Sequence, residues 1–121
     1  MKQVYLKSIT RTEPATPTLV TYDDRIRSGK VLVVRAIGGA HTDIKIDQVA
    51  RFFVEVGADR VFFASGKPPL RGDMVSWSGC VPVGEGCRVG METPESEATD
   101  IVSLDIFGEL WDAEAWRKSN S

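Results

Sequence analysis

The sequence predicts an α+β domain in which a mainly antiparallel, strongly curled sheet of about seven strands, or a half-barrel, packs on one central helix. A short helix follows at the C-terminus. Several runs alternate apolar and polar residues as strands do, whereas one segment shows the spacing of an amphipathic helix. Strands and helices do not alternate regularly, which argues against a doubly wound parallel sheet.

The N-terminal region predicts two strands. Lys2–Ile9 alternates apolar and polar residues, and Leu19–Tyr22 is a short apolar run. Between them, Thr10–Thr18 is rich in threonine and proline and is expected to be a connector.

A glycine pair separates the next two strand-like runs. Lys30–Ile37 and Ala40–Ile46 flank Gly38 and Gly39, which predicts a two-residue hairpin with Val33 opposite Ile44. An alternative interpretation is a phosphate-binding turn before a helix, but the third glycine of that fingerprint is missing.

The central helix is predicted just after this hairpin. Asp47 is the expected N-cap and Gly57 the C-terminal stop. The apolar stripe consists of Ile46, Val49, Ala50, Phe53 and Val54. The run Arg60–Ser65, apolar after its first residue, is then expected to be a central strand.

The remaining chain predicts a second hairpin and a final strand. Asp73–Gly79 and Cys87–Glu92 are strand-like and flank a turn around Pro82–Gly86. In the last strand Val102, Leu104 and Ile106 alternate with Ser103, Asp105 and Phe107. The C-terminal helix is expected over Asp112–Lys118.

Length and composition indicate one domain over residues 1–121. The chain has 42% hydrophobic and 26% charged residues, and charges interrupt its most apolar region, so a membrane span is not expected. The N-terminus has no apolar stretch of the kind that secretion signals carry, which predicts a small soluble cytoplasmic protein. We expect it to be of bacterial type, like proteins found on mobile elements.

Charge is distributed unevenly between the two halves. The first half is basic, and the second half has no lysine or arginine between Val89 and Trp116 but many acids, among them Glu95 and Glu97. An acidic surface repels phosphate backbones, so nucleic acid is an unlikely partner, and a cationic protein surface would be attracted. The alternative is a charged surface that only keeps the chain soluble.

Acid–base chemistry has weak candidates. His41 is the only histidine, and in the predicted hairpin it shares a face with Asp43, which could orient its imidazole. Cys80 is one possible nucleophile. No spacing of an established catalytic motif supports these three residues, and an exposed polar histidine beside a turn is the alternative.

Ligand binding has a different set of candidates. Arg35 interrupts an apolar strand, and its guanidinium must be paired, reach solvent or bind an anionic ligand. Together with His41, Asp73 and Trp77 it could form the polar part of a small-molecule pocket.

The two cysteines give no metal signature. Six residues separate Cys80 from Cys87 in a predicted hairpin, where free thiols, a disulfide or, least of all, zinc ligands are conceivable. We predict no metal and no cofactor.

The C-terminal tryptophans suggest an interface. Trp111 and Trp116 lie on or beside a helix too short to be stable alone, so it must dock on its own sheet or on a second copy in a homodimer. With the charge asymmetry, this favours a non-enzymatic module that binds another protein. The alternative is a small-molecule-binding protein or a modest acid–base enzyme using Arg35, His41 and Asp43.

Overall fold

The structure, a computed structural model, describes residues 2–13, 16–42, 44, 48–96 and 100–120. These residues form eight strands and one helix. The elements are β1 (Lys2–Glu13), β2 (Thr16–Tyr22), β3 (Lys30–His41), β4 (Ala50–Val56), β5 (Asp59–Gly66), β6 (Val75–Val83), β7 (Arg88–Ser96), β8 (Asp100–Asp112) and α1 (Ala113–Ser119).

The strands form two four-stranded antiparallel sheets. The first sheet has the order β1-β8-β3-β6 and the second has the order β2-β7-β4-β5. Strands β4 and β5 are neighbours in one sheet, whereas other consecutive strands lie in opposite sheets. This is the strand order of a two-sheet jelly roll, which is a β-sandwich.

The hydrophobic core fills the space between the inner faces of the two sheets. In β8 the predicted alternation is confirmed: Val102, Leu104 and Ile106 are at most 2% exposed. The second sheet contributes Phe52 and Met91, which are fully buried. The outer faces of both sheets therefore lie outside this core.

The predicted fold class is wrong in its central feature. No helix lies between the sheets in the described part of the chain, and Ala50–Val56 is strand β4. Phe52 packs in the core, whereas Phe53 on the other face is covered by the rings of Tyr22 and Phe62, so apolar residues are buried on both faces of β4 and do not alternate. Ile46 and Asp47 lie outside the described residues.

The glycine hairpin prediction is also wrong. Strand β3 continues through Gly38 and Gly39 to His41, and Val33 is paired with Pro82 and Glu109 rather than with Ile44. The glycines are needed for packing, because a Cβ on Gly39 would overlap the Sδ atom of Met91. Neither glycine has a positive φ.

Two further expectations are corrected. The strand predicted as central, Arg60–Ser65, belongs to β5 at the edge of the second sheet. The turn around Pro82–Gly86 connects β6 and β7 in different sheets, so it closes no hairpin. The sheet is neither one curled layer nor a half-barrel. The C-terminal helix is confirmed, as Ala113–Ser119.

Candidate binding groove

A groove crosses all four strands of the first sheet. Its volume is about 630 Å³, and it is open to solvent. It is lined by Leu6, Lys7, Ser8, Ala36, Ile37, Gly38, Met74, Ser76, Trp77, Ser78, Asp105, Ile106 and Phe107. Volumes of this size are typical of ligand sites.

The floor of the groove is low because two small residues lie in the middle of the sheet. Ala36 pairs with Phe107, and Gly38 pairs with Asp105. A Cβ on Gly38 would lie 2.5 Å from the Sδ atom of Met74, so a larger residue would clash with Met74. The pattern of small residues therefore creates the depression.

Large apolar side chains form the walls. Leu6 is 71% exposed, Phe107 is 46% exposed and Met74 is 45% exposed. Val4, two residues before Leu6, is 72% exposed and extends the apolar surface along β1. Such a cluster on the outside of a sheet is the kind of exposed apolar patch that marks interaction sites.

Polar groups are few in the groove. The Ser8 hydroxyl donates to the Asp105 carboxylate at 2.5 Å, across the β1–β8 pair. Ser76 and Ser78 add hydroxyls on β6. These groups can orient a ligand, while the apolar walls provide the contact area.

One end of the groove is bordered by a charged cluster. Arg35, in the bulge of β3, donates from Nε and Nη2 to the Glu109 Oε1 at 3.2 and 3.0 Å, and Lys2 contacts Oε2 of the same carboxylate at 3.2 Å. The hydrogen bond from Arg35 is the main reason that the pKa of Glu109 is lowered. Arg35 is thus paired with an acidic residue of the same chain, which was one of the three alternatives for this position.

The C-terminal helix packs beside this cluster on its own sheet, against β8 and β3. Trp111 and Trp116 contact each other edge to face, with ring centroids 5.4 Å apart. Lys2 lies over the Trp111 ring at 5.2 Å. The helix therefore has its docking partner within the chain.

The predicted ligand-binding residues are not brought into one pocket. Arg35 is on the outer face of the first sheet, His41 is 1% exposed at the interior end of β3, and Asp73 is exposed in the loop before β6. Trp77 lines the groove but also packs its ring against Phe63 at 5.1 Å.

The acid–base candidates do not converge either. Cys80 is exposed on β6 beside the bulge at Arg35. His41 is six residues further along β3, which corresponds to about 20 Å of strand. Asp43 lies outside the described residues, so its predicted partnership with His41 is not addressed. Cys80 and Cys87 are both free cysteines.

The acidic half of the sequence is interleaved with basic strands. Lys30 pairs with Asp112 at 2.6 Å, and Arg60 pairs with Glu92 at 3.2 Å. The hydrogen bond from Lys30 lowers the pKa of Asp112. The side chain of Glu95, in β7, and the whole of Glu97 are outside the described part of the structure. Some acids of the second half are therefore paired with basic residues of the first half.

The outer face of the second sheet carries a compact cation–aromatic cluster. Glu55 is buried, and Arg88 binds it with two hydrogen bonds, Nε to Oε1 at 3.0 Å and Nη2 to Oε2 at 3.3 Å. Arg25 donates to the same carboxylate at 2.9 Å. The hydrogen bond from Arg88 is the main cause of the lowered pKa of Glu55. The Arg88 guanidinium also lies 3.7 Å from the Tyr22 ring centroid.

The described residues carry neither a metal-ligand cluster nor a membrane-spanning helix. No group of three or more His, Cys, Asp or Glu in the described ranges could hold a metal ion. No described helix is long and apolar enough to cross a membrane.

Sequence reasoning missed the groove although one signal was present. Phe107 falls on the face of β8 that also carries Ser103 and Asp105, opposite the buried face. A large aromatic residue in the polar register of an otherwise regular strand indicates an exposed contact. Leu6 gave no comparable signal, because apolar residues of β1 were expected to face the core.

Comparisons with known proteins add little to this geometry. No protein-family model matches the sequence, and no curated protein matches it. The chain is similar to part of the crystal structure of dimeric latent PorU from Porphyromonas gingivalis, with 9% sequence identity and a TM-score of 0.38. The match covers 91% of this chain and 13% of that one. At this level of similarity it supports no conclusion about function.

Proposed function

We propose that this protein is a non-enzymatic binding module that holds an extended apolar segment of another protein in the groove of the first sheet. The observation that supports it is the exposure of Leu6, Phe107 and Met74 around a floor of Ala36 and Gly38. Removing these apolar surfaces from water would be favourable, at about 25 cal/mol for each Å² buried.

The shape of the groove favours a protein segment over a small molecule. Small-molecule sites bury most of the ligand in a concave cavity, whereas this groove is open and runs over the face of a sheet. An extended segment could place alternate side chains on the floor at Ala36 and Gly38, beside the wall formed by Leu6 and Phe107. Its other side chains would remain in solvent.

The electrostatics of the groove favour an apolar ligand segment. Lys7 lines the groove, but its Nζ contacts Asp24 at 3.1 Å and Asp23 at 3.8 Å. Glu109 at the border is held by Arg35 and Lys2. The Asp105 carboxylate accepts a hydrogen bond from Ser8. A polar group of the partner could approach this carboxylate.

The proposal does not depend on the acidic half of the sequence as a contact surface. Glu92, Glu109 and Asp112 already have cationic partners within the chain. A small-molecule site that uses Arg35, His41 and Asp73 together has no support either, because Arg35 lies six residues along β3 from His41 and is bound to Glu109.

The test uses a displayed library of short peptides selected on the immobilised protein. Selected peptides should be rich in apolar residues, and Phe107→Ser should weaken their affinity about tenfold or more, the effect expected of a buried aromatic anchor. Ser76→Trp should fill the groove and weaken the same peptides.

The matched control is Phe62→Ser. Phe62 lies on the second sheet and has the same 46% exposure as Phe107, so this variant controls for the loss of an exposed phenyl ring. Its affinity for the selected peptides should equal that of the wild type. Failure to enrich any peptide, or equal losses for both variants, would contradict the proposal.

A further inference from the structure

The four edge strands of the sandwich differ in how well they are protected against pairing with another strand. β5 has a bulge at Phe63, and β6 has an irregular register around Gly79 and contains Pro82. β2 is seven residues long and contains Pro17. Bulges, prolines and shortness are the usual means by which sheet edges are protected.

Strand β1 has neither a bulge nor a proline in the residues that the structure describes, and its lysines Lys2 and Lys7 are paired with Glu109 and Asp24 of the same chain. It is 12 residues long, and its register with β8 is unbroken from Lys2 to Glu13. Its outward side chains Val4 and Leu6 are more than 70% exposed. A long, regular and apolar edge strand is a template for a further strand.

The sequence of β1 is complementary to itself in one antiparallel register. When Tyr5 lies on the two-fold axis, Val4 of one copy is opposite Leu6 of the other, on both sides of the axis. If the register of the two strands is shifted by two residues, only one apolar pair remains. In one direction Val4 faces Val4, and in the other Leu6 faces Leu6. The register centred on Tyr5 therefore pairs the most apolar surface.

Charge is compatible with the same register. Lys2 of one copy is opposite Ser8 of the other, and Gln3 is opposite Lys7, so no like charges face each other.

We infer that β1 is a homodimerisation edge: two copies associate through antiparallel β1 strands, with Tyr5 on the two-fold axis, into a continuous eight-stranded sheet. The contact is one strand wide, so the dimer is weak and depends on concentration. The two grooves then lie on the same face of the joined sheet. This inference is independent of what the groove binds.

The experiment measures molecular mass by sedimentation over a wide range of concentration. The wild type should shift from the 13.3 kDa monomer towards twice that mass as concentration rises. The double variant Val4→Lys with Leu6→Lys should remain monomeric, because like charges then face each other. Both positions are largely exposed, so folding should be retained, as circular dichroism checks.

A charge-swap variant tests the register itself. In Val4→Lys with Leu6→Glu, the new lysine of each copy is opposite the new glutamate of the other when Tyr5 is on the axis. Association should return and should weaken with salt. The registers shifted by two residues would place lysine against lysine or glutamate against glutamate, so a monomeric charge-swap variant would overturn the assigned register.

The control is Val61→Lys on the bulged edge strand β5. Val61 is 57% exposed, and the substitution introduces the same charge at an edge that the inference does not use. Its mass should follow that of the wild type. A wild type that stays monomeric throughout, or a Val61→Lys variant that alone abolishes association, would overturn the inference.

Discussion

Leu6 on β1 lies directly opposite Phe107 on β8, and both side chains stand on the outer face of the first sheet. The pair forms one apolar wall of the groove above the floor at Ala36. Because the core is on the other face, these side chains contribute little to folding and are available to a ligand.

The first prediction concerns the stability of the groove variant. Phe107→Ser should change the free energy of unfolding by less than about 0.5 kcal/mol, since the ring is exposed and surface substitutions seldom do more. Chemical denaturation measures this value. A loss of several kcal/mol would show that Phe107 is part of the packing and would invalidate it as a binding probe.

The second prediction concerns a glycine of strand β8 that packs closely against the neighbouring strand β3. A Cβ on Gly108 would overlap the Val33 carbonyl oxygen, a backbone atom that cannot move independently. Gly108→Ala should therefore destabilise the fold by about 1–3 kcal/mol or more. Gly84→Ala is the control, because nothing lies within 4 Å of the corresponding Cβ. Equal stabilities of the two variants would contradict the packing of β3 on β8.

The third prediction concerns a hydrogen bond at the edge of the sandwich. The Tyr5 hydroxyl donates to the Asp23 carboxylate at 2.5 Å, and the Asp23 side chain is fully buried. Tyr5→Phe should lower the free energy of unfolding by about 1.5 kcal/mol at neutral pH. This value is at the low end of the range for hydrogen bonds to charged groups, because Tyr5 is only partly buried. Unchanged stability at neutral pH would contradict this bond.

The same bond predicts a dependence on alkaline pH. Burial, and next the hydrogen bond to Asp23, raise the pKa of Tyr5 above its ordinary value. The folded state then favours the protonated phenol, so this stabilisation is complete below about pH 10 and is lost as the pH rises further. Melting temperatures of the wild type should fall more steeply above pH 10 than those of Tyr5→Phe.

The fourth prediction concerns Glu55 and acid pH. The hydrogen bond from Arg88 lowers the pKa of Glu55, so its stabilising effect is present above the unfolded value of about 4.3 and is lost as the pH falls through the lowered value. Glu55→Gln should lower the melting temperature by several degrees at neutral pH and flatten its decline in acid. The exposed Glu85→Gln variant should follow the wild type in both respects.

The features that depend on local periodicity could be predicted correctly from the sequence. The alternation of Val102, Leu104 and Ile106 with their polar neighbours identified the buried face of β8, and the strand beginning at Lys30 was found correctly. These features depend on neighbouring residues alone, because alternate side chains of a strand point to opposite faces.

The errors arose where distant residues decide the structure. Gly38 and Gly39 were interpreted as a turn, but they make room for Met74 and Met91, which are far away in sequence. Phe52, Phe53 and Val54 are all buried because both faces of β4 are covered, and this apolar run was interpreted as one side of a helix. Neither effect can be recognised before the partner strands are known.

The candidate site was missed for the same reason. The sequence analysis left open whether Arg35 is paired, reaches solvent or binds a ligand, and only the β3–β8 pairing brings it to Glu109. The groove depends on four strands lying side by side, an order that local patterns do not determine.

The binding of a selected peptide to the groove is tested most directly by mapping backbone amide chemical shifts of the isotope-labelled protein during titration. If the groove is the binding site, the largest changes occur at Leu6, Gly38, Ser76 and Phe107, on the outer face of the first sheet. Largest changes around Arg51 and Phe62, on the second sheet, would contradict the proposed site.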